Sequence, residues 1–77
     1  MPINGLLVTL SQDRHLAEAA CAQVASRGEV VMGEGKGRWQ PLAAELGSVA
    51  EAHDFHEWLE SLPGIERVDV VYVGIDP

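Results

Sequence analysis

The alternation of apolar and polar residues along the chain predicts a first strand at residues 4–10 (NGLLVTL). This segment is short, apolar and rich in β-prone residues, which is typical of a central strand. Because side chains alternate along a strand, it has one all-aliphatic face and one mixed face. The aliphatic face comprises Leu6, Val8 and Leu10, and the mixed face comprises Gly5, Leu7 and Thr9. We expect the aliphatic face to pack against helices and the mixed face to remain open.

A helix signal follows this strand directly. Ser11 is placed to cap the helix, and Asp13 in its first turn complements the helix dipole. We expect Gly28 to end the helix in the left-handed conformation. Cys21 lies on the apolar face of this helix, which favours a small core residue over a reactive thiol.

Two further strands are predicted at residues 29–32 and 39–46, joined by the glycine-rich run at residues 33–38 (GEGKGR). A dinucleotide-binding loop would have to open directly into a helix, whereas this run leads to another extended stretch. We therefore interpret it as a hairpin turn. Pro41 lacks the backbone donor that a central strand needs, so we expect a bulge or a frayed start there.

Residues 48–51 (SVAE) form a capping box, the strongest helix-start signal in the chain. The helix that begins there runs to about Ser61, and Phe55 and Leu59 lie on its buried face. A last strand at residues 68–73 follows a Pro-Gly turn.

These elements predict the order βαββαβ within a single domain, residues 1–77. This order is the ferredoxin-like α+β plan, a four-stranded antiparallel sheet with both helices on one face. We expect the first and third strands to be the central pair and to run parallel, with the second and fourth strands at the edges. The other face of the sheet is then open.

The composition excludes several classes of function. The formal net charge is −7 and the five lysine and arginine residues form no cluster, which argues against nucleic acid as a partner. The single cysteine, Cys21, allows no internal disulfide and no CxxC motif, which fits a reducing compartment. The sequence shows neither a signal peptide nor an apolar run long enough to span a bilayer, so we expect a cytoplasmic protein.

The sequence shows no catalytic constellation. No nucleophile stands with a base at a suggestive spacing, so we expect neither enzymatic activity nor a cofactor. His53 and His56 on the second helix could bind a metal ion, but no obvious further ligands are supplied elsewhere, and a solvated helix face is the favoured interpretation. Glu60, one turn after His56, is its expected partner.

The open face of the sheet is therefore the candidate site. Alternation places on it Leu7, Thr9, Ala43, Glu45, Asp69, Val71 and Val73. With the central strands parallel, Thr9, Glu45 and Asp69 would gather at one end and make that end acidic. Such a face could receive a helix, join a second sheet in a homodimer or face water. From the residues alone, a dimer contact ranks first.

Two segments and the order of the elements carry a resemblance to a known family. The chain is similar to the NapD family in GLLVTL at residues 5–10, in LPGIERVDVVYV at residues 62–73 and in its βαββαβ order. NapD proteins are cytoplasmic chaperones for the catalytic subunit of periplasmic nitrate reductase. They bind the twin-arginine signal peptide of that molybdoenzyme and hold back its export until cofactor loading is complete.

The resemblance implies that the open face binds a twin-arginine signal peptide as a helix, with the candidate residues as its contacts. The implied partner is the catalytic subunit of a periplasmic nitrate reductase. The acidic balance of the chain suits a ligand with two adjacent arginines. The alternative is a small ferredoxin-like regulatory or dimerisation module with no signal-peptide ligand.

Overall fold

The chain forms four strands and two helices in the order βαββαβ, as the sequence predicts. The computed structural model describes residues 2–75. The elements are β1 (Pro2–Leu10), α1 (Arg14–Ala25), β2 (Val30–Met32), β3 (Trp39–Glu45), α2 (Val49–Ser61) and β4 (Ile65–Ile75). The strands make one sheet in the order β2-β3-β1-β4, so β1 and β3 are central. This small ferredoxin-like α+β architecture confirms the predicted fold class.

Neighbouring strands in the sheet are antiparallel throughout, including the central pair of β1 and β3. The expectation that this central pair runs parallel is wrong. Each helix carries the chain across one strand, so β1 and β2 share a direction while β3 between them runs the opposite way. The direction of β3 decides which end of β3 lies beside each end of β1 on the open side of the sheet.

One face of the sheet packs against both helices. Leu6 and Val8 of β1 are buried there, which confirms the predicted aliphatic face. Phe55 and Leu59 of α2 belong to the same cluster and are only 2% and 0% exposed. The buried cluster consists of Leu6, Val8, Ala20, Val24, Leu42, Ala44, Leu46, Phe55, Leu59, Ile65 and Val68. Among the described residues, the opposite face of the sheet contributes no side chain to this core.

The cap of α1 is Asp13 rather than Ser11. Asp13 Oδ1 accepts hydrogen bonds from the backbone N–H groups of His15 and Leu16, at 2.9 and 3.2 Å. Ser11 Oγ instead accepts a bond from the N–H of Asp13 at 3.0 Å. Aspartate and serine are about equally good caps, so the sequence alone does not separate the two positions.

Helix α1 ends without the predicted left-handed glycine. Its terminal cap is Ser26, whose N–H donates to Ala22 O at 3.1 Å and whose Oγ donates to Gln23 O at 2.7 Å. Gly28 does not have a positive φ; in the described part of the chain only Gly37 does. The serine hydroxyl satisfies a terminal carbonyl, which is part of what a glycine cap does elsewhere.

Helix α2 begins at the capping box that the sequence predicts. Ser48 Oγ accepts a bond from the N–H of Glu51 at 3.1 Å. Glu51 Oε2 accepts in return from the N–H of Gly47 at 2.8 Å, one residue before the usual partner. This reciprocal arrangement fixes the start of α2 directly after β3.

Pro41 lies within β3 without the bulge expected there, since the register between β1 and β3 is continuous. Proline cannot donate to a neighbouring strand. Gln40 compensates, because its Nε2 donates to the carbonyl oxygens of Gly33 and Pro41 at 2.8 and 2.9 Å. The side-chain amide therefore supplies the donor that Pro41 lacks, and the strand stays regular.

The main irregularity of the sheet lies instead between β1 and β4. Leu6 pairs with Val70, whereas Gly5 pairs with Tyr72, so Val71 is an extra residue in β4. A bulge of this kind reverses the alternation of side chains beyond it. Residues 67–70 of β4 therefore have one parity and residues 72–74 the opposite one.

The glycine-rich run between β2 and β3 forms a tight hairpin turn, as predicted. Lys36 and Trp39 exchange backbone hydrogen bonds of 2.9 and 3.0 Å around Gly37 and Arg38. Gly37 has a φ of +61°, which suits the first central position of a type II′ turn. The run leads into β3 rather than a helix, so it lacks the geometry of a dinucleotide-binding loop.

Gly64 lies where the start of β4 passes closest to α1. A Cβ atom there would collide with the backbone carbonyl of Leu16 and with the Cβ of Ala20. The N–H of Ser11 donates to Gly64 O at 2.8 Å, which ties the end of β1 to the same point. Because the obstructing atoms are mainly backbone, a side chain at this position fits only if the helix moves.

We expect Gly64→Ala to lower the free energy of unfolding by about 1–3 kcal/mol, because the added methyl group overpacks the contact with α1. Gly28→Ala is the matched control, since nothing lies within 4 Å of a Cβ built there and its φ is not positive. Urea denaturation of both variants measures the difference. Equal midpoints for the two variants would contradict the close approach of β4 to α1.

Candidate functional site

The face of the sheet opposite the helices carries no helix in the described part of the chain. Strand register arranges its residues in rows that cross the sheet. From one end to the other the rows are Glu45–Ile3–Gly74, Val31–Ala43–Gly5–Tyr72, Pro41–Leu7–Asp69 and Trp39–Thr9–Arg67. We call this surface the open face.

Most of the predicted site residues lie on the open face, where alternation places them. They are Leu7, Thr9, Ala43, Glu45 and Asp69. Glu45 is exposed, and the others are half-buried by their neighbours in the sheet. Their position on this face follows from the register, whereas their role as peptide contacts stays a prediction.

Val73 does not lie on the open face, contrary to the expectation from alternation. It borders the same cleft as Leu6 and Phe55, on the helix side of the sheet. The cause is the bulge at Val71, which brings Tyr72 to the open face beside Gly5 instead. Val71 itself is the extra residue and has no partner in the described register of β1.

The predicted acidic end of the open face does not form. Thr9 and Glu45 lie at opposite ends of the face, in its outermost rows. Asp69 lies between them, one row from Thr9. The prediction failed because it assumed parallel central strands, and antiparallel pairing sends Glu45 to the far end.

Sequence reasoning missed three large residues of the open face. Val31, Trp39 and Tyr72 are 70%, 59% and 61% exposed. Alternation backwards from Ala43 along β3 would have found Trp39, and pairing with Ala43 places Val31. No sequence signal indicates Tyr72, because its position depends on the bulge.

The side chain of Tyr72 lies along the open face above two glycines. A Cβ atom at Gly74 would collide with the Tyr72 ring and hydroxyl. A Cβ atom at Gly5 would stand 3.1 Å from Tyr72 Cβ. The two glycines therefore leave room for the ring to lie close to the backbone, and the middle of the face stays shallow.

The open face has few charged side chains, and its two carboxylates differ in whether they already have an ion-pair partner. Arg67 Nε donates to Asp69 Oδ1 at 3.0 Å, so this carboxylate already has a cationic partner on its own strand. Glu45 is exposed and makes no ion pair with any described residue. Of the two carboxylates, Glu45 is the one open to an incoming cation.

Each histidine of α2 faces a glutamate one turn later on the same helix. His56 Nε2 lies 3.5 Å from Glu60 Oε1, which confirms the expected pair, and His53 Nε2 lies 3.8 Å from Glu57 Oε1. Ligand atoms of His53, Asp54 and Glu57 also lie within 4.8 Å of one another. All three are exposed on a single helix, and no described residue of another element joins them, which fits a solvated helix face.

Cys21 lies toward the core side of α1. It is half-buried and borders a small cavity together with Val24 and Ile65. Burial raises the pKa of its thiol, so the thiol stays protonated at neutral pH and is a poor nucleophile. These observations fit a small core residue.

Arg27, in the loop after α1, lies across the aromatic residues of α2. Its guanidinium carbon is 4.4 Å from the ring centroid of Trp58 and 5.1 Å from that of Phe55. The same guanidinium donates to Glu29 at 2.9 Å. The hydrogen bond from Arg27 holds the pKa of the Glu29 carboxyl below its ordinary value. This arrangement joins the loop after α1 to α2 and does not involve the open face.

Two general observations complete the description of the candidate site. No helix among the described residues combines the length and the apolar character needed to cross a membrane. Comparisons of the chain with protein-family models, with curated proteins and with solved structures find no match. The basis for a function is therefore the chemistry of the open face: apolar, shallow at its centre, and bearing one carboxylate open to a cation.

We expect the ion pair between Arg27 and Glu29 to make the stability of the fold sensitive to acid. The pKa of Glu29 is lowered in the folded chain, so its contribution is complete above the ordinary value of 4.5 and is lost as the pH falls through the lowered value. Glu29→Gln should lower the urea midpoint at neutral pH and reduce its fall in acid. Glu34→Gln, on the exposed glycine-rich turn, is the control. The same acid dependence in Glu29→Gln and the parent chain would contradict the assignment.

Proposed function

We propose that this chain is a cytoplasmic chaperone of the NapD type. It binds the twin-arginine signal peptide of a nitrate reductase-type molybdoenzyme and delays export until the cofactor is inserted. The observation that carries the proposal is the open face, an uncovered apolar surface on a sheet whose other side packs against both helices. A large apolar surface without a partner is typical of a binding site.

The shape of the open face suits a helical ligand. Gly5 and Ala43 make its centre shallow, while Trp39 and Val31 rise on one side and Tyr72 on the other. An amphipathic helix can lie across such a surface with its apolar side down. The apolar part of a signal peptide provides such a side, and Leu7 lies beneath the proposed position of the bound helix.

The charges of the open face favour one placement of the paired arginines. Asp69 already bonds Arg67, so an incoming arginine there would only replace one exposed ion pair, worth about 0.2–1 kcal/mol, with another. Glu45 has no such partner and lies one row from Tyr72. An arginine there can bond the carboxylate with two N–H groups and lie over the tyrosine ring. We therefore place the arginine pair at the end of the face marked by Glu45.

The net charge of the chain supports the same partner. A formal charge of −7 attracts a cationic signal peptide from a distance and raises its rate of association. This long-range attraction weakens as salt screens it. It adds to the local contacts but does not specify the arginine pair.

Leu7→Asp tests the apolar part of the proposal. We expect it to weaken binding of a twin-arginine signal peptide by about tenfold or more, because it sets a charge under the apolar side of the helix. Isothermal titration with the signal peptide of a nitrate reductase measures the change. Ala22→Asp, which adds the same charge on an exposed position of α1, is the control. Leu7→Gln removes the apolar side chain without setting a second carboxylate beside Asp69. Undiminished binding by both Leu7 variants would contradict a site on the open face.

A double-mutant cycle tests the arginine placement. It pairs Glu45→Gln with a peptide whose arginines are replaced by glutamine, and Asp69→Asn serves as the comparison. We expect a coupling energy above about 1 kcal/mol at Glu45, because the bond is sheltered by the bound helix, and a smaller one at Asp69. Coupling near zero at both positions, with binding intact, would mean that the arginines bind elsewhere.

The alternative function is a regulatory or dimerisation module without a peptide ligand. The apolar rows of the open face could also receive a second copy of the chain. Sedimentation of the free protein distinguishes the two functions. A dimer that Leu7→Asp dissociates, together with no binding of twin-arginine peptides, would assign the open face to self-association.

A further inference from the structure

A second uncovered surface lies on the helix side of the sheet, between α2 and the later part of β4. It is a cleft of about 520 Å³. Its floor includes Leu6 and Phe55, and Val49, Val70 and Val73 stand along its walls. We call it the α2–β4 cleft. It lies on the opposite side of the sheet from the open face and is not used by the proposed signal-peptide site.

The walls of the α2–β4 cleft are apolar and exposed. Val49, Val70 and Val73 are 88%, 52% and 62% exposed, although each borders a cavity that reaches the core. The bulge at Val71 produces this arrangement, because it directs both Val70 and Val73, three residues apart, to the helix side. The result is an aliphatic groove that α2 covers only in part.

The rim of the α2–β4 cleft is acidic. Glu57 and Glu60 border it from α2, together with His53 and His56. Among the described residues that line the cleft there is no lysine or arginine. A basic side chain entering the cleft would therefore meet two carboxylates and no lysine or arginine.

The cleft runs beside a free strand edge. Strand β4 is the outer strand of the sheet and has 11 residues, whereas the other outer strand, β2, has 3. Residues 70–74 of β4 carry no charge and no proline, the two features that commonly protect an edge. The backbone groups of this segment are available to a strand laid beside it.

We propose that the α2–β4 cleft binds an extended segment of another protein that carries aliphatic and basic side chains on one face, at every second position. The segment lies along β4 by strand addition, sets its aliphatic side chains between Val49 and Val73, and brings its basic side chains to Glu57 and Glu60. A second copy of this chain fits less well. Pairing two β4 edges would bring the two acidic α2 helices toward each other, with like charges opposed.

The binding test uses the full chain and a labelled synthetic peptide that repeats valine-serine-lysine-serine, with fluorescence polarisation as the measurement. A peptide that repeats valine-serine-glutamate-serine is the reference probe. We expect the lysine peptide to bind at least about tenfold more tightly, with an advantage that shrinks as salt is added. Equal binding of the two probes would overturn the proposal, since the acidic rim would then contribute nothing.

Two variants of β4 locate the binding. Val73→Lys sets a cation in the cleft, and Val71→Lys adds the same charge two residues away, outside the lining, at a residue equally exposed. We expect Val73→Lys to weaken the lysine peptide by about tenfold or more and Val71→Lys by less than about threefold. Glu57→Gln combined with Glu60→Gln should weaken the lysine peptide and leave the glutamate peptide unchanged or improved. Equal effects of the two lysine variants would overturn the site.

Further measurements separate this site from the open face and from self-association. Leu7→Asp should leave binding of the lysine peptide unchanged, so failure of the signal-peptide proposal would not affect this one. Bound peptide should slow hydrogen exchange at the backbone amides of residues 70–74. Loss of binding in Leu7→Asp would move the lysine peptide to the open face. A dimer in sedimentation that Val73→Lys dissociates would assign the edge to a second copy. Either result overturns the proposal.

Discussion

The structure depends on one constraint, which is that two helices can cover only one face of a four-stranded sheet. The chain places its aliphatic residues accordingly, with Leu6 and Val8 of β1 and Phe55 and Leu59 of α2 in a single layer between sheet and helices. The second face of the sheet remains in contact with water. Among the described residues no further element covers it, so an apolar surface on that face has either a function or a cost in solubility.

The sequence predicted the elements and the core well because both follow from local patterns. Alternation in β1 separated Leu6 and Val8 from Leu7 correctly, and the capping box placed the start of α2. The direction of β3 was inferred wrongly, and that single error displaced Glu45 from one end of the candidate site to the other. The direction of a strand in a sheet is set by the connections between strands, and the residues of β3 themselves do not indicate it.

The remaining differences arise where two distant segments adjust to each other. Gln40 donates for Pro41 only because the hairpin brings Gly33 alongside, and the sequence does not show that the two will meet. A glycine is needed at position 64 because α1 passes close to its backbone. No sequence pattern near this position indicates that contact. The bulge in β4 is the clearest case. Its residues are β-prone and apolar in both parities, so nothing in their order marks Val71 as the one to be skipped.

That bulge determines which side chains of β4 each of the two surfaces presents. Without the bulge, Val71 would pair with Gly5, and regular alternation would turn Tyr72 toward α2 and Val73 toward the open face. The open face would lose its tyrosine, and the cleft would exchange an aliphatic wall for an aromatic one. A slip of one residue in the pairing of β4 with β1 would thus interchange the side chains presented on two sides of the sheet without any change in the sequence. In this chain the register of β4 against β1, counted residue by residue, is itself part of what determines recognition.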